Sequence, residues 1–353
     1  MNHIKHIDAL RFIAVCLVLC HHWILIQPLK YLPFGSTISF VISSFLIGRI
    51  LLNMRSRNNN VTTYVKPLVL FYLRRTVRIF PAYYVLITIC WILNYGKTRE
   101  IFLYLTTFTT NFYIVNFGNT LGFLGHLWSV AVQEQYYIVI PILLLLIPVR
   151  YIKLIAFISI GVGLFYRLYV YYHDLSFWHL HVSTLSCLDT FGVGTYIAYL
   201  SIYEKETFKK LIENKTLLRI SVIILLFAAV FGTFFQKGNH YYLDFYRVVE
   251  RTVVSFGTIW LVGYAYFDKY NTSINRLFQS KTILYLGKIS YGIYLYHFFV
   301  THICSIILNR MNLQVYNHIR YLLPIYFIIT FIFATLSWEL FEKPINKLKT
   351  KLY

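Results

Sequence analysis

Apolar runs long enough to cross a bilayer recur from one end of this chain to the other. They lie near 9–27, 36–54, 80–95, 127–148, 151–171, 186–203, 218–236, 250–267, 287–308 and 321–341. No stretch shows the alternating polar and apolar pattern of a soluble sheet domain, and no long polar segment offers an extramembrane domain. The pattern predicts an all-α, polytopic membrane protein with about ten spans, forming a single membrane-embedded domain over 1–353. The piece 101–117, moderately apolar with Thr and Asn throughout, reads as non-spanning or re-entrant. The first run holds Asp8 and Arg11 and lacks a small-residue cleavage site, so it reads as a first span and not a removed signal peptide.

Composition agrees with the pattern. Of 353 residues 58% are hydrophobic, 19% aromatic and only 13% charged, and the mean hydropathy is +0.60. A soluble fold has no way to hide that much apolar surface. The net charge of +20 raises the question of nucleic acid, but its distribution answers with topology. Ten spans with both termini in the cytoplasm put 23 Lys and Arg on the cytoplasmic side against 8 outside, whereas making 101–117 a full span gives 13 against 18. The positive-inside bias favours the first arrangement. No nucleic-acid partner is expected, and the surroundings are membrane lipids.

Arg11 and His22 carry the first sign of chemistry. At 100° per residue, eleven steps return to nearly the same helix face, about three turns or ~16 Å along the axis. A permanent cation near the surface and an imidazole deep in the span therefore share one file, while His21 points about 100° away. Intramembrane ionisable groups default to function. The alternative is that Arg11 snorkels to the headgroups and His22 makes a hydrogen bond inside the bundle. Spacing alone leaves both open.

A second constellation is Arg74, Arg75 and Arg78, before Phe80-Pro81 at the cytoplasmic mouth of the third run. Spacings of three and four gather guanidinium groups on one helix face, and such forks suit phosphate. They also obey the positive-inside rule and suit anionic lipid. A third is His126-Leu127-Trp128-Ser129 leading to Glu134. A carboxylate beside an imidazole orients it and stabilises its protonated form; a structural ion pair with Arg11 or Arg167 is the alternative. Ser129, Trp128, Asp189 and His297 are lesser candidates, and Glu339 and Glu342 close the last helix. The five cysteines, Cys16, Cys20, Cys90, Cys187 and Cys304, show no metal or redox spacing, and no metal site is expected.

These motifs together resemble the acyltransferase-3 family, membrane-embedded enzymes that move acyl groups onto extracytoplasmic glycans. Asp8-Ala9-Leu10-Arg11-Phe12-Ile13-Ala14, closing at His22, is similar to its opening motif, and 40–47 to its second-span motif. Arg74–Pro81 resembles its arginine motif, and Trp128-Ser129 with Glu134-Gln135-Tyr136-Tyr137 its Trp-Ser and Glu-Gln signature. Leu286–His297 and Glu342-Lys343-Pro344 resemble the last two, so the likeness runs from residue 6 to about 346. Departures are few: Ala9, Phe12 and Ser44 stand where glycine or a small residue is usual, and Gln133 where a second glutamate is common.

The resemblance implies an O-acyltransferase in the bacterial cytoplasmic (inner) membrane, with no permanently bound cofactor. Acyl-CoA, in the first place acetyl-CoA, would be the co-substrate, its phosphates held by Arg74, Arg75 and Arg78 with Arg11 just inside. His22 would act as base on a sugar hydroxyl or be acylated itself, and Glu134 would orient it. The acceptor would be a cell-surface polysaccharide or lipid-linked saccharide, gripped by residues such as Asn111, Asn116, Asn119, His173, Asp174, Trp178, His179 and His181 in the outer segments 96–126 and 172–185. The form expected is the standalone one, without the serine-hydrolase-like domain some members carry. A transporter or flippase of a lipid-linked sugar, or an acyl-relay membrane protein, is the rival; internal repeats, which a transporter usually shows, are not found.

Overall fold

In the computed structural model, residues 4–23, 34–57, 64–118, 121–234, 240–310 and 315–347 are described, and among them every regular element is helical. The longer helices are α1 (Lys5–Trp23), α2 (Phe34–Arg57) and α3 (Val65–Ile92), then, after the short α4 (Phe102–Thr106) and α5 (Thr110–Phe117), α6 (Trp128–Leu146) and α7 (Ile152–Tyr172). Next come the short α8 (Phe177–Val182), α9 (Leu188–Tyr203), the short α10 (Lys205–Glu213), α11 (Lys215–Phe234) and α12 (His240–Phe267). The chain continues through α13 (Thr272–Phe278), α14 (Lys281–Arg310) and α15 (Val315–Ser337), and a π-turn at Trp338–Glu342 leads into α16 (Lys343–Lys347).

Among the described residues, eight helical stretches are long and apolar enough to cross a membrane: Lys5–Trp23, Phe34–Arg57, Val65–Ile92, Gly122–Leu146, Val149–Tyr172, Leu185–Tyr203, Lys281–Leu308 and Leu322–Lys347. The chain is an all-α, multi-pass membrane protein. The two other expected spans, 218–236 and 250–267, fall on α11 and α12, and positions 24–27 and 235–236 lie outside the described residues. Helix α3 starts fifteen residues before the expected span at 80. Pro67 sits in its first turn, where a missing N–H costs nothing. At 28 residues it is about 42 Å long against a ~30 Å hydrocarbon core, so the charge at Arg74–Arg78 does not mark the helix start.

The segment 101–117 does not form one helix. Its two pieces have 5 and 8 residues, far short of a span, and Phe108 between them takes a positive φ of 54°. Helix α3 holds this break: the hydroxyls of Tyr83 and Tyr84 donate to the carbonyls of Leu105 and Thr106, each at 2.8 Å, and the Phe108 ring packs 4.7 Å from Tyr83.

Contacts group the chain into two compact units. The first comprises Met1–Tyr64 and Val132–Gly287. There α9 packs against both α2 and α7. Lipid tails are as apolar as Leu, so such association depends on close approach of small residues. A methyl group at Gly194 would meet Ser44 Oγ at 1.8 Å and the Val41 carbonyl at 2.6 Å, and one at Gly192 would meet the Ala156 carbonyl at 2.6 Å. The second unit comprises Val65–Ala131 and Lys288–Tyr353. In it α3 packs against the π-turn and α16.

Candidate functional site

In the first unit, Arg11 and His22 lie on one unbroken helix, as their spacing requires for a shared face. Arg11 donates to Asp8 one turn earlier at 3.4 Å, its side chain 19% exposed. The Asp8 backbone is crowded by Gly287, where an added methyl would lie 2.3 Å from the Asp8 carbonyl. His22 sits one residue from Trp23 at the end of α1, its ring 5.1 Å from that of His21.

Glu134 is 8% exposed on α6, and its neighbours along that helix are tied in place. Tyr136 stacks on Phe191 at 4.2 Å with rings 8° from parallel and shares a 2.9 Å hydrogen bond with Thr195. Thr184 donates to Gln135 at 2.5 Å, and Tyr137 donates to Gln133 at 3.2 Å. Contacts of Gln135 and Tyr136 thus tie the helix beside the carboxylate to its surroundings.

Asp189 has a different job. Arg167, 1% exposed, pairs with Asp189, 0% exposed, at 2.7 Å, and donates further to the Val248 carbonyl at 2.7 Å and Thr252 Oγ1 at 2.6 Å. Thr252 donates to the same Asp189 oxygen at 2.7 Å. A desolvated pair whose other sites are filled by hydrogen bonds is a structural lock. Arg167 is therefore committed to Asp189, and the expectation that it could serve as ion-pair partner of Glu134 falls away.

The segment around α8 is pinned by Arg251, which donates to the His181 carbonyl at 2.8 Å and to Ser186 Oγ and Cys187 Sγ at 2.9 Å each. Phe177 stacks on His181 at 5.1 Å and carries the Arg247 guanidinium at 4.7 Å from its centroid. Burial, with the cations Arg251 and Arg247 beside it, pushes His181 down to about 3, so its imidazole is neutral at pH 7. Of the residues expected to face an acceptor, Asn111 is 0% exposed and belongs to the interior, because it sits on the inward face of α5. Asn119 lies outside the described residues, whereas Asn116, His173 and Asp174 are exposed.

In the second unit, Arg74, Arg75 and Arg78 lie half-buried on α3. Arg75 stands 5.7 Å above the Phe71 ring. Pro81 follows, and its missing N–H leaves the Val77 carbonyl without its helical donor. The π-turn packs against α3 and holds Glu342, 1% exposed. Ser337 donates to it at 3.1 Å, Tyr296 donates to Ser337 at 3.1 Å, and Arg78 is the cation whose charge acts on it. A single π-turn often marks a functional position; here it turns Glu342 inward while Glu339 stays outside, paired with Lys343 at 2.5 Å.

The same unit joins the Trp-Ser motif to the signature on α14. Ser129 Oγ lies 2.7 Å from the Tyr294 hydroxyl, which donates to the His126 carbonyl at 2.7 Å. The rings of His126 and His297 are 4.9 Å apart, nearly edge to face. Both Nδ1 atoms face backbone carbonyls, Phe123 at 2.6 Å and Tyr294 at 2.5 Å. A carbonyl only accepts, so a ring nitrogen bonded to one does so as donor; His126 Nε2 also lies 3.3 Å from the Leu295 carbonyl. Trp128, 8% exposed, leads this cluster into α6. Sequence reading singled out His297 and Ser129 but not their link through Tyr294, because contacts across 165 positions leave no local pattern. Among the described residues, no group of three or more His, Cys, Asp or Glu is arranged to hold a metal ion.

Comparison with known proteins identifies the chain's kin. A family model described as an acyltransferase domain matches residues 4–341, through α1 and both halves of the motif set. The chain belongs to this acyltransferase family. It is 28% identical over 367 residues to the peptidoglycan O-acetyltransferase OatA of Listeria monocytogenes, covering 98% of this chain and 56% of that protein. It is 26% identical over 372 residues to O-acetyltransferase OatA of Staphylococcus aureus, covering 98% and 58%. The chain thus spans a little over half the length of these curated relatives. No solved structure matches it.

Proposed function

We propose that this chain is an O-acetyltransferase that takes an acetyl group from cytoplasmic acyl-CoA and delivers it to a hydroxyl of an extracytoplasmic or lipid-linked glycan in a bacterial cytoplasmic membrane. The observation that carries this reading is Arg11 and His22 on one uninterrupted membrane helix in a chain of the acyltransferase family. The names of the relatives, one of them a peptidoglycan O-acetyltransferase, support acetyl as the group and a wall or surface glycan as the acceptor class.

In this reading Arg74, Arg75 and Arg78 hold the donor's phosphates, with Arg11 contributing a further positive charge. His22 takes the proton of the acceptor hydroxyl as its oxygen attacks the thioester carbonyl. The C–O bond forms, the C–S bond breaks, and the coenzyme A thiolate leaves and is protonated. Glu134 orients the imidazole and offsets the charge it gains. In the variant route His22 is acetylated first, a C–N bond forming as the C–S bond breaks and the thiolate leaves; the acceptor oxygen then takes the acetyl group as that C–N bond breaks.

The test is radiolabelled acetyl-CoA supplied to the cytoplasmic face of sealed vesicles that contain the chain and a glycan acceptor. Label appearing in alkali-labile linkage on the glycan is the expected result. Translocation of a lipid-linked sugar without label transfer would overturn it in favour of a flippase.

A further inference from the structure

Arg49 on α2 is 9% exposed, and its Nε and Nη1 have no hydrogen-bond partner. Its guanidinium stands 4.6 Å from the Tyr266 centroid and 5.5 Å from that of Phe45. The Tyr266 hydroxyl is engaged elsewhere, donating to the Ser201 carbonyl at 3.2 Å. Among the described residues no carboxylate pairs with Arg49. Of the carboxylates at nearby element ends, Glu204 pairs with Lys153 at 2.5 Å and Glu213 with Lys269 at 2.9 Å, Asp268 lies 3.6 Å from His6, and Glu206 is exposed to solvent.

The remaining sequence of this unit supplies none either. Residues 1–3, 24–33, 58–63 and 235–239 contain no Asp or Glu, and Asp244 precedes Tyr266 by about 33 Å of helix. A permanent cation taken out of water costs far more than two aromatic faces return. Such a group calls for an anion that arrives from outside the chain.

We infer that Arg49 is the binding residue for a phosphate group carried by an amphiphilic ligand, which reaches it from the end of the first unit where α2, α9 and α12 finish. That end holds Arg55, Arg57, Lys153 and Lys269 and is the one the charge count assigns to the cytoplasm. Arg55 is already committed, donating to the Leu144 and Ile147 carbonyls at 2.6 and 2.5 Å, which leaves Arg49 as the inner cation. A guanidinium is suited to phosphate by its several N–H groups and weak hydration. Two sources share this chemistry: the nucleotide end of the acyl donor and the headgroup of an anionic phospholipid. The first rests on the function proposed above; the second does not.

The experiment measures thermal unfolding of the full chain, wild type and Arg49→Met, in neutral detergent. The probes are acetyl-CoA and phosphatidylglycerol, with acetyl-pantetheine and diacylglycerol as phosphate-free counterparts. Wild type should be stabilised by a phosphate-bearing probe and not by its counterpart. Arg49→Met, relieved of a buried charge, should melt no lower than wild type without probe and need at least tenfold more probe for half its effect. A response to acetyl-CoA alone identifies the donor, and one to phosphatidylglycerol alone identifies the lipid.

Arg49→Met melting below wild type without probe, or responding as wild type does, overturns the inference and leaves a solvated or purely structural arginine. If Arg49→Met does not fold, Arg49→Lys decides. It should melt as wild type does without probe and bind the probe several-fold more weakly; unchanged binding overturns the inference. Acetyl transfer measured in parallel separates the two readings. Its absence from wild type with the Arg49-dependent shift intact removes the function, and its presence without that shift removes only the site.

Discussion

At the scale of single residues, His21 and His22 are a natural internal control. They are sequence neighbours with rings 5.1 Å apart, yet about 100° separates them around the helix. His22→Ala should abolish acetyl transfer in vesicles while the protein inserts and folds, whereas His21→Ala should keep much of it. The reverse pattern would show that the shared face with Arg11 is not what matters. Glu134 and Asp189 form a second control. Because Arg167 is locked to Asp189 at 2.7 Å, Asp189→Asn should lower the melting temperature by weakening a buried pair, a loss approaching the roughly 3–5 kcal/mol of breaking one outright. Glu134→Gln should instead melt near wild type and lose most of its transfer rate. Early melting with normal turnover in the folded fraction would make Glu134 structural.

At the scale of elements, α3 and the π-turn of the second unit work as a pair. The π-turn packed against α3 carries Glu342 inward, where a Tyr296–Ser337 chain of hydroxyls holds it. Replacing Arg75 or Arg78 by Ala should raise the donor KM about ten- to a hundredfold, since a charge-assisted bond contributes roughly 1.5–3 kcal/mol, with the acceptor KM unchanged. An unchanged donor KM accompanied by poor insertion would reduce the arginines to a topology signal. The arginine spacing was legible in the sequence, because three- and four-residue offsets are local. The role of Glu342 was not, because a π-turn is one extra residue in a helical turn and carries no periodicity of its own.

For the whole molecule the sharpest question is which way the later helices run. Pieces of 5 and 8 residues within 101–117 fit the arrangement with both termini in the cytoplasm. On a cysteine-free background, Asn116→Cys should react with an impermeant maleimide in intact cells, or in spheroplasts if an outer membrane is present. Lys210→Cys should react only after lysis. Labelling of Lys210→Cys without lysis would show that 101–117 crosses the membrane after all.

Hydrophobic run length, the charge asymmetry and the Arg11–His22 spacing are properties of the chain itself, so the all-α membrane class and the family were decided before any folding. Bilayer burial is imposed on each helix separately, which is why a one-dimensional pattern suffices. Pairings between helices were decided only by tertiary structure. Arg167 chose Asp189, Ser129 met Tyr294, Gly194 made room for Ser44, and Arg49 was left buried with no counter-charge among the described residues. In lipid no hydrophobic gradient selects helix neighbours, so steric fit and the need to satisfy buried polar groups do. Both depend on contacts between residues far apart in the chain.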